Sequence, residues 1–197
     1  VPPAITALYQ PGKINVVEFA DFECPYCRRL QAVLAPLISE YGDRVSFRRL
    51  QRPLAQHEFA EAAARAALCA EAQGKGEEMA ARLFTIQLSE QAIENAAEGL
   101  RLDPGRYGAC VDSEETTATL ASHAALLPDE QFQGLPTTYI GRQRILGVAT
   151  ETTLRDAFEQ ALRPERPSLS GPVYVGIWAA LAGLVCVVGT RRRSESN

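Results

Sequence analysis

Alternation between apolar and polar positions predicts a strand, a helix and a second strand near the start of the chain. A short β-branched and aromatic run predicts a buried strand over residues 15–21. Apolar residues then recur every three or four positions, at Leu30, Val33, Leu34, Leu37 and Ile38. This spacing predicts a helix that begins at Pro25 and ends near Gly42. An alternating run over residues 44–50 predicts the second strand, and this order favours a parallel βαβ unit.

The middle of the chain has a helical pattern that is too long for a connecting loop. We interpret residues 56–128 as a helical subdomain inserted between strands of one sheet. Strand patterns return at residues 137–140 and 144–146, and an amphipathic helix is predicted over residues 151–162. The fold class predicted from these patterns is α/β.

The two ends of the chain differ in character from the middle. Residues 1–13 are a proline-punctuated lead-in, and residues 163–172 have the Pro, Ser and Gly content of a linker. Residues 173–190 are apolar and three arginines follow directly, which predicts a transmembrane helix with a basic cytoplasmic tail at 191–197. A buried hydrophobic helix and a cleaved sorting signal are the alternatives for this segment.

The net charge and the cysteine content of the chain limit the classes of function to consider. A net charge of −4 over 197 residues, without a long basic stripe in the body of the chain, argues against nucleic-acid binding. The CxxC sequence of Cys24–Pro25–Tyr26–Cys27 follows the first predicted strand and opens the first helix. A helix N-terminus stabilises a thiolate, so Cys24 is expected to be the nucleophile of a redox pair.

A zinc site and a static disulfide are the alternatives for this CxxC. Zinc sites of this kind use a second CxxC or a Cys/His pair at ligand spacing. The remaining cysteines are single, and His57 and His123 are isolated in the sequence. We therefore favour thiol–disulfide chemistry and expect neither a metal nor a cofactor.

The segments VVEFADFECPYCRRL and GLPTTYIG resemble the thioredoxin fold. With a helical insertion between them, residues 14–162 are similar to the DsbA-type branch of thiol–disulfide oxidoreductases. The resemblance implies that Cys24 is the nucleophile and that Cys27 resolves the mixed disulfide. It also implies that Glu18 is a buried acid with a raised pKa that relays the proton of Cys27; a solvent-facing strand glutamate is the alternative.

The same resemblance implies a substrate-binding surface around a cis proline. Pro136 would be that proline, with Leu135 before it and Tyr26 between the cysteines at the surface that meets an extended peptide. An ordinary proline at the start of a strand is the alternative. Tyr26 stands where strong oxidants of this branch carry histidine, while Asp21 and Glu23 oppose the thiolate, so the direction of electron flow stays open.

Cys69 and Cys110 both lie in the predicted helical subdomain. Some DsbA-like proteins carry a second, structural disulfide there, and we favour that bond over two buried free thiols, provided that the compartment is oxidising.

Together these observations predict a membrane-anchored dithiol oxidase whose catalytic domain faces the periplasm or its equivalent. Its substrates would be cysteine-containing secreted polypeptides, and a quinone-linked membrane partner of the DsbB or vitamin K epoxide reductase type would reoxidise it. Because the chain begins at Val1, we also consider it the C-terminal part of a fusion with such a reductase. A reductase or isomerase fed by a membrane electron donor is one alternative. A non-enzymatic peptide-binding or metal-carrying module is the other.

Overall fold

The computed structural model describes residues 1–163, which form one unit. The predicted linker after Arg163, the predicted transmembrane helix and the basic tail lie outside the described residues. Within residues 1–163, no helix combines the length and the apolar character that crossing a membrane requires.

A four-stranded sheet in the order β2-β1-β3-β4 forms the centre of this unit. Its strands are β1 (Ile14–Ala20), β2 (Val45–Gln51), β3 (Thr137–Ile140) and β4 (Gln143–Leu146). Strand β1 pairs parallel with β2 and antiparallel with β3, and β3 pairs antiparallel with β4. All seven residues of β1 are buried, as expected for a central strand covered on both faces.

Helices account for most of the remaining described residues. They are α1 (Pro3–Thr6), α2 (Pro25–Tyr41), α3 (Ala60–Glu71), α4 (Gly76–Leu83), α5 (Glu90–Gly99), α6 (Pro104–Val111), α7 (Glu114–Leu126) and α8 (Glu151–Leu162). Single 3-10 turns lie at Gly42–Arg44 and Asp129–Gln131. Five of the helices, α3 to α7, fall between β2 and β3, so the predicted α/β class with a helical insertion is confirmed.

The two faces of β1 contribute to two hydrophobic clusters. Val17 and Phe19 pack in the cluster that includes the helical insertion, whereas Ile14 and Val16 pack with α2 and α8. Successive strand residues point to opposite faces, which explains this division. In the insertion, α3 contacts α4, α5, α6 and α7, and its many buried alanines allow these helices to approach closely.

A disulfide joins Cys69 of α3 to Cys110 of α6. The bond closes a sequence separation of 41 residues, and loop-closure entropy of this length contributes about 4 kcal/mol. The hydroxyl of Thr116 lies 3.5 Å from the Cys110 sulfur and 3.8 Å from the Cys69 sulfur. The bond ties two helices of the insertion together.

Candidate active site

The two cysteines of the CxxC lie at the start of α2, directly after the loop that leaves β1. Cys24 is the N-cap in an extended conformation, and Pro25 occupies the first helical position, where its missing N–H has no intrahelical partner. Cys27 follows within the first turn. Both residues are thiols in the structure; Cys24 is 5% exposed and Cys27 is fully buried.

The surroundings of the two sulfurs separate their pKa values. A hydrogen bond from the Cys27 thiol, helped by the backbone N–H groups of Cys27 and Tyr26, lowers the pKa of Cys24 to about 6. Burial and the negative charge of Asp21 act in the opposite direction. The hydrogen bond to Cys24, together with burial, raises the pKa of Cys27 above its usual range. Cys24 is therefore the sulfur that is ionised near neutral pH.

Asp21 organises the loop that carries Cys24. Its Oδ1 accepts the backbone N–H of Glu23 at 2.7 Å and the N–H of Cys24 at 3.2 Å, as in an Asx-turn. Its Oδ2 accepts the N–H of Leu54 at 2.8 Å and lies 2.8 Å from Nδ1 of His57. An ionised carboxylate only accepts, so His57 donates through Nδ1. Asp21 thus joins the active-site loop to the connection between β2 and α3.

Both histidines, although isolated in the sequence, have hydrogen-bond partners in the fold. His57 bonds Asp21, 36 positions earlier in the chain, and Nδ1 of His123 accepts the backbone N–H of Gln51 at 3.0 Å. The sequence contains no local signal for the contact with His57, since the connection between β2 and α3 brings this residue to Asp21 only in the folded chain. The Asx-turn, by contrast, follows from an aspartate two residues before Glu23 and three before Cys24.

Glu18 lies fully buried on β1, in the pairing register of Arg49 on β2. Nε of Arg49 donates to Oε2 of Glu18 at 3.1 Å. The same guanidinium donates to both oxygens of Glu77 on α4, at 2.9 and 3.1 Å, and to Oε1 of Gln31 on α2 at 2.8 Å. Arg49 therefore connects the buried acid to the helical insertion and to the helix that carries Cys27. Sequence reasoning missed Arg49, Gln31 and Glu77, because only the strand register brings them to Glu18.

Burial raises the pKa of Glu18, although the charge and the hydrogen bond of Arg49 oppose this shift. Oε1 of Glu18 has no hydrogen-bond partner among the described residues. The charge of Glu18 contributes to the raised pKa of Cys27. Glu18 is therefore shielded from solvent, and only one of its two oxygens is hydrogen-bonded among the described residues.

The segment before β3 carries the other predicted site residues. The peptide bond between Leu135 and Pro136 is cis, and the carbonyl of Pro136 accepts the N–H of Gly147 at 2.8 Å. Leu135 packs in the same buried cluster as Cys24 and Cys27. Tyr26 is 52% exposed, and the guanidinium of Arg29 lies 4.6 Å from the centre of its ring. An exposed aromatic ring thus lies between the two cysteines.

A family model described as Thioredoxin matches residues 12–160. The chain belongs to the thioredoxin family. Among solved structures, it is similar to a thioredoxin-like oxidoreductase from Silicibacter pomeroyi DSS-3, with 30% identity and a TM-score of 0.70. The match covers 78% of this chain and 89% of that one.

The fold is also similar to that of the thiol–disulfide exchange protein α-DsbA2 from Wolbachia pipientis, with a TM-score of 0.69. The identity is 16%, and the match covers 77% of this chain and 83% of that one, so this likeness concerns the fold. The DsbA-like resemblance is confirmed at that level.

Part of a longer curated protein also matches this thioredoxin-family chain. The Na(+)/H(+) antiporter NhaA 3 of Salinispora tropica is 32% identical over 161 residues, or 77% of this chain and 24% of the antiporter. The chain thus spans about a quarter of the length of the curated relatives that it matches.

Proposed function

We propose that this chain is a dithiol oxidase that transfers the Cys24–Cys27 disulfide to cysteine-containing polypeptides. The observation that carries the proposal is the stabilised thiolate of Cys24, whose pKa is lowered to about 6 at the start of α2. A stabilised thiolate stabilises the reduced form, and an enzyme with a stabilised reduced form gives up its disulfide readily.

In the first step a substrate thiolate attacks the Cys24 sulfur of the enzyme disulfide. A substrate–Cys24 disulfide forms, the Cys24–Cys27 bond breaks, and the electron pair moves to the sulfur of Cys27. Because the pKa of Cys27 is raised, this sulfur takes up a proton at neutral pH. Glu18 is the acid proposed to supply it, since its own pKa is raised and it acts electrostatically on Cys27.

In the second step another thiolate of the substrate attacks the substrate sulfur of the mixed disulfide. The substrate disulfide forms and Cys24 leaves as a thiolate, which its lowered pKa favours. The substrate loses two electrons and two protons, and the enzyme disulfide becomes a dithiol. We place the substrate chain along Leu135 and Pro136, beside the exposed ring of Tyr26.

The reduction potential tests the direction of electron flow. Equilibration of the purified protein with glutathione should give a value nearer to about −120 mV, typical of an oxidant, than to about −270 mV, typical of a reductase. A value at the reductase end would replace the proposal by the reductase or isomerase alternative, which the charge of Asp21 beside Cys24 favours.

The pH dependence of stability gives a second test. Between the lowered pKa of about 6 and the usual thiol value of 9.0, the unfolded chain holds a proton on Cys24 that the folded reduced chain has released. The reduced protein therefore gains stability as the pH rises through this window and loses it as the pH falls to 6. The oxidised protein, which lacks this thiolate, is the control.

Variants of the two cysteines separate catalysis from binding. Cys24→Ser should abolish the oxidative refolding of a reduced substrate protein. Cys27→Ser should accumulate a mixed disulfide between Cys24 and the substrate, and a reducing agent should separate the two chains. Refolding activity that is unchanged in Cys24→Ser would support the non-enzymatic alternative instead.

We also propose that the oxidase is anchored to a membrane, with its catalytic domain outside the cytoplasm. The uncharged run over residues 173–189 followed by Arg191, Arg192 and Arg193 supports the anchor. The Cys69–Cys110 disulfide supports an oxidising compartment, the periplasm in a bacterium. The full chain should remain with membranes after alkaline extraction, and a chain truncated after residue 163 should be released.

A dithiol oxidase needs an electron acceptor, for which we propose a quinone-linked membrane partner. Membranes that contain quinone should reoxidise the reduced protein, and quinone-depleted membranes should not. The Cys24→Ser variant is the control, because it lacks the nucleophilic thiolate through which the dithiol would pass its electrons to the partner.

A further inference from the structure

Asp21 contacts both the backbone of Cys24 and the side chain of His57, and so connects an imidazole to the residue that carries the reacting sulfur. One carboxylate oxygen accepts the N–H of Cys24, and the other lies 2.8 Å from Nδ1 of His57. The side chain of Asp21 is fully buried, and that of His57 is 20% exposed. His57 therefore reaches the active-site loop from the connection between β2 and α3.

The charge of Asp21 acts against the form of Cys24 that reacts. A carboxylate beside a thiol disfavours the thiolate, and Asp21 raises the pKa of Cys24 in this way. Each N–H that donates to the carboxylate reduces the charge that the sulfur experiences. Three of the four donors to Asp21 are backbone groups, and His57 supplies the one that belongs to a side chain.

We propose that His57 is a positioning residue for Cys24: by donating to Asp21, it reduces the repulsion between this carboxylate and the thiolate and so strengthens the enzyme as an oxidant. The inference rests on the proposed function, in which Cys24 is the reacting thiol. Tyr26 places no positive charge between the cysteines, and an imidazole that acts through Asp21 compensates for this from a different part of the chain.

Other contacts hold the connection in place when the side chain of His57 is changed. The backbone N–H of Leu54 donates to Asp21, and that of Phe59 donates to Oε2 of Glu23 at 2.8 Å. These bonds lie on either side of His57 and do not use its imidazole. The carboxylate of Glu23, the other acid of the turn, thus accepts a hydrogen bond from the backbone.

Two substitutions at His57 test the inference in the reduced full-length chain. His57→Phe keeps a ring but removes the donor, and His57→Asn keeps an N–H that can reach Asp21. The pKa of Cys24, followed by the ultraviolet absorbance of its thiolate, should rise by about 0.5 to 1 unit in His57→Phe. It should stay close to the wild-type value in His57→Asn. His123→Phe, which changes the second histidine of the chain, is the matched control and should leave this pKa unchanged.

The reduction potential of the Cys24–Cys27 pair should change together with the pKa of Cys24. In His57→Phe, the equilibrium constant with glutathione should shift roughly threefold to fivefold in favour of the enzyme disulfide. At about 29.6 mV for each tenfold change, the reduction potential should become more negative by about 15 to 20 mV. A folded His57→Phe variant with the wild-type pKa and potential would overturn the inference, and so would a His57→Asn variant that matches His57→Phe.

A double-mutant cycle tests whether the effect passes through Asp21. Asp21→Asn removes the charge, so adding His57→Phe to it should cause no further change in the pKa of Cys24. Equal effects of His57→Phe in both backgrounds would contradict the inference. These measurements need no substrate, so they remain informative if the enzyme proves to be a reductase. A Cys24 that shows no thiolate titration near neutral pH would instead count against the proposed function.

Discussion

Two buried acids, three residues apart, lie on the segment that leads to Cys24, and their surroundings are opposite. Asp21 accepts from four donors, three of them backbone N–H groups. Glu18 accepts from the single side chain of Arg49, and its other oxygen has no hydrogen-bond partner among the described residues. Burial alone therefore does not decide what a carboxylate does near this site.

The difference in hydrogen bonding corresponds to a difference in role. A carboxylate whose oxygens accept several backbone N–H groups, as those of Asp21 do, fixes the loop geometry around Cys24. A carboxylate with an unpaired oxygen and a raised pKa is suited to hold and release a proton. We expect Asp21 to determine the shape of the loop, and Glu18 to determine proton transfer to Cys27.

The largest effect is expected from Arg49→Met, which leaves Glu18 buried without its counter-charge. The free energy of unfolding should fall by about 3 to 5 kcal/mol, measured by urea denaturation at neutral pH. The loss should be much smaller in a Glu18→Gln background, where no buried charge is left unpaired. Arg48→Met, at an exposed position of the same strand, is the control. An equal loss in both backgrounds would show that Arg49 acts through packing rather than through Glu18.

Asp21→Ala should have the next largest effect on stability. It leaves the N–H groups of Glu23 and Leu54, and the imidazole of His57, without their acceptor, which should cost about 2 to 3 kcal/mol. Asp21→Asn should cost less, because its amide oxygen still accepts. The exposed Asp156→Ala on α8 is the control for these urea denaturation measurements. A loss in Asp21→Ala as small as that of the control would contradict the structural role of this acid.

Glu18→Gln should act mainly on the rate. Without the carboxylic acid, reduction of the enzyme disulfide by a substrate dithiol should slow by roughly 10- to 100-fold in stopped-flow measurements at neutral pH. The exposed Glu159→Gln on α8 should react at the wild-type rate. An unchanged rate in Glu18→Gln would exclude Glu18 from proton transfer.

The same variant reveals the sign of the pH effect on stability. Because the folded-state pKa of Glu18 is raised, the folded protein holds a proton that the unfolded chain releases above its usual value of 4.5. Stability contributed by the neutral acid is therefore present at low pH and decreases as the pH rises above 4.5. The free energy of unfolding of the wild type should fall relative to that of Glu18→Gln over this range.

Glu77→Gln should have the smallest effect. Glu77 contacts Arg49 but is 60% exposed, and solvent screening limits the contribution of such a pair to about 0.5 kcal/mol. Removal of its charge should also lower the pKa of Glu18, because Glu77 raises it. The shift should appear as a displaced pH dependence of unfolding. A stability loss above about 2 kcal/mol would mean that Glu77 has a larger structural role than this contact supports.

The sequence predicted the acids and cysteines more fully than it predicted their partners. The strand pattern placed Glu18 among buried residues, and the CxxC together with the helical pattern placed Cys24 at a helix start. Both predictions depend on local periodicity, which a single sequence contains. The Cys69–Cys110 pairing, favoured on family resemblance, is present as a disulfide.

Arg49 and His57 could not be predicted in the same way. Arg49 meets Glu18 because of the β1–β2 register, and His57 meets Asp21 because the connection after β2 folds back over the loop. Both contacts join residues more than thirty positions apart, and several registers are compatible with the apolar pattern. The four donors to Asp21 therefore could not be predicted from the sequence. From its charge alone, Asp21 was expected only to disfavour the thiolate of Cys24.

The disulfide in the helical insertion has a consequence for how the protein matures. The proposed oxidase makes disulfides in other chains, and it contains one that joins α3 to α6 outside its own CxxC. A newly made chain has this pair as thiols, so it would be a substrate of the chemistry proposed for it. A mature copy, or another oxidant of the same compartment, must complete each new molecule.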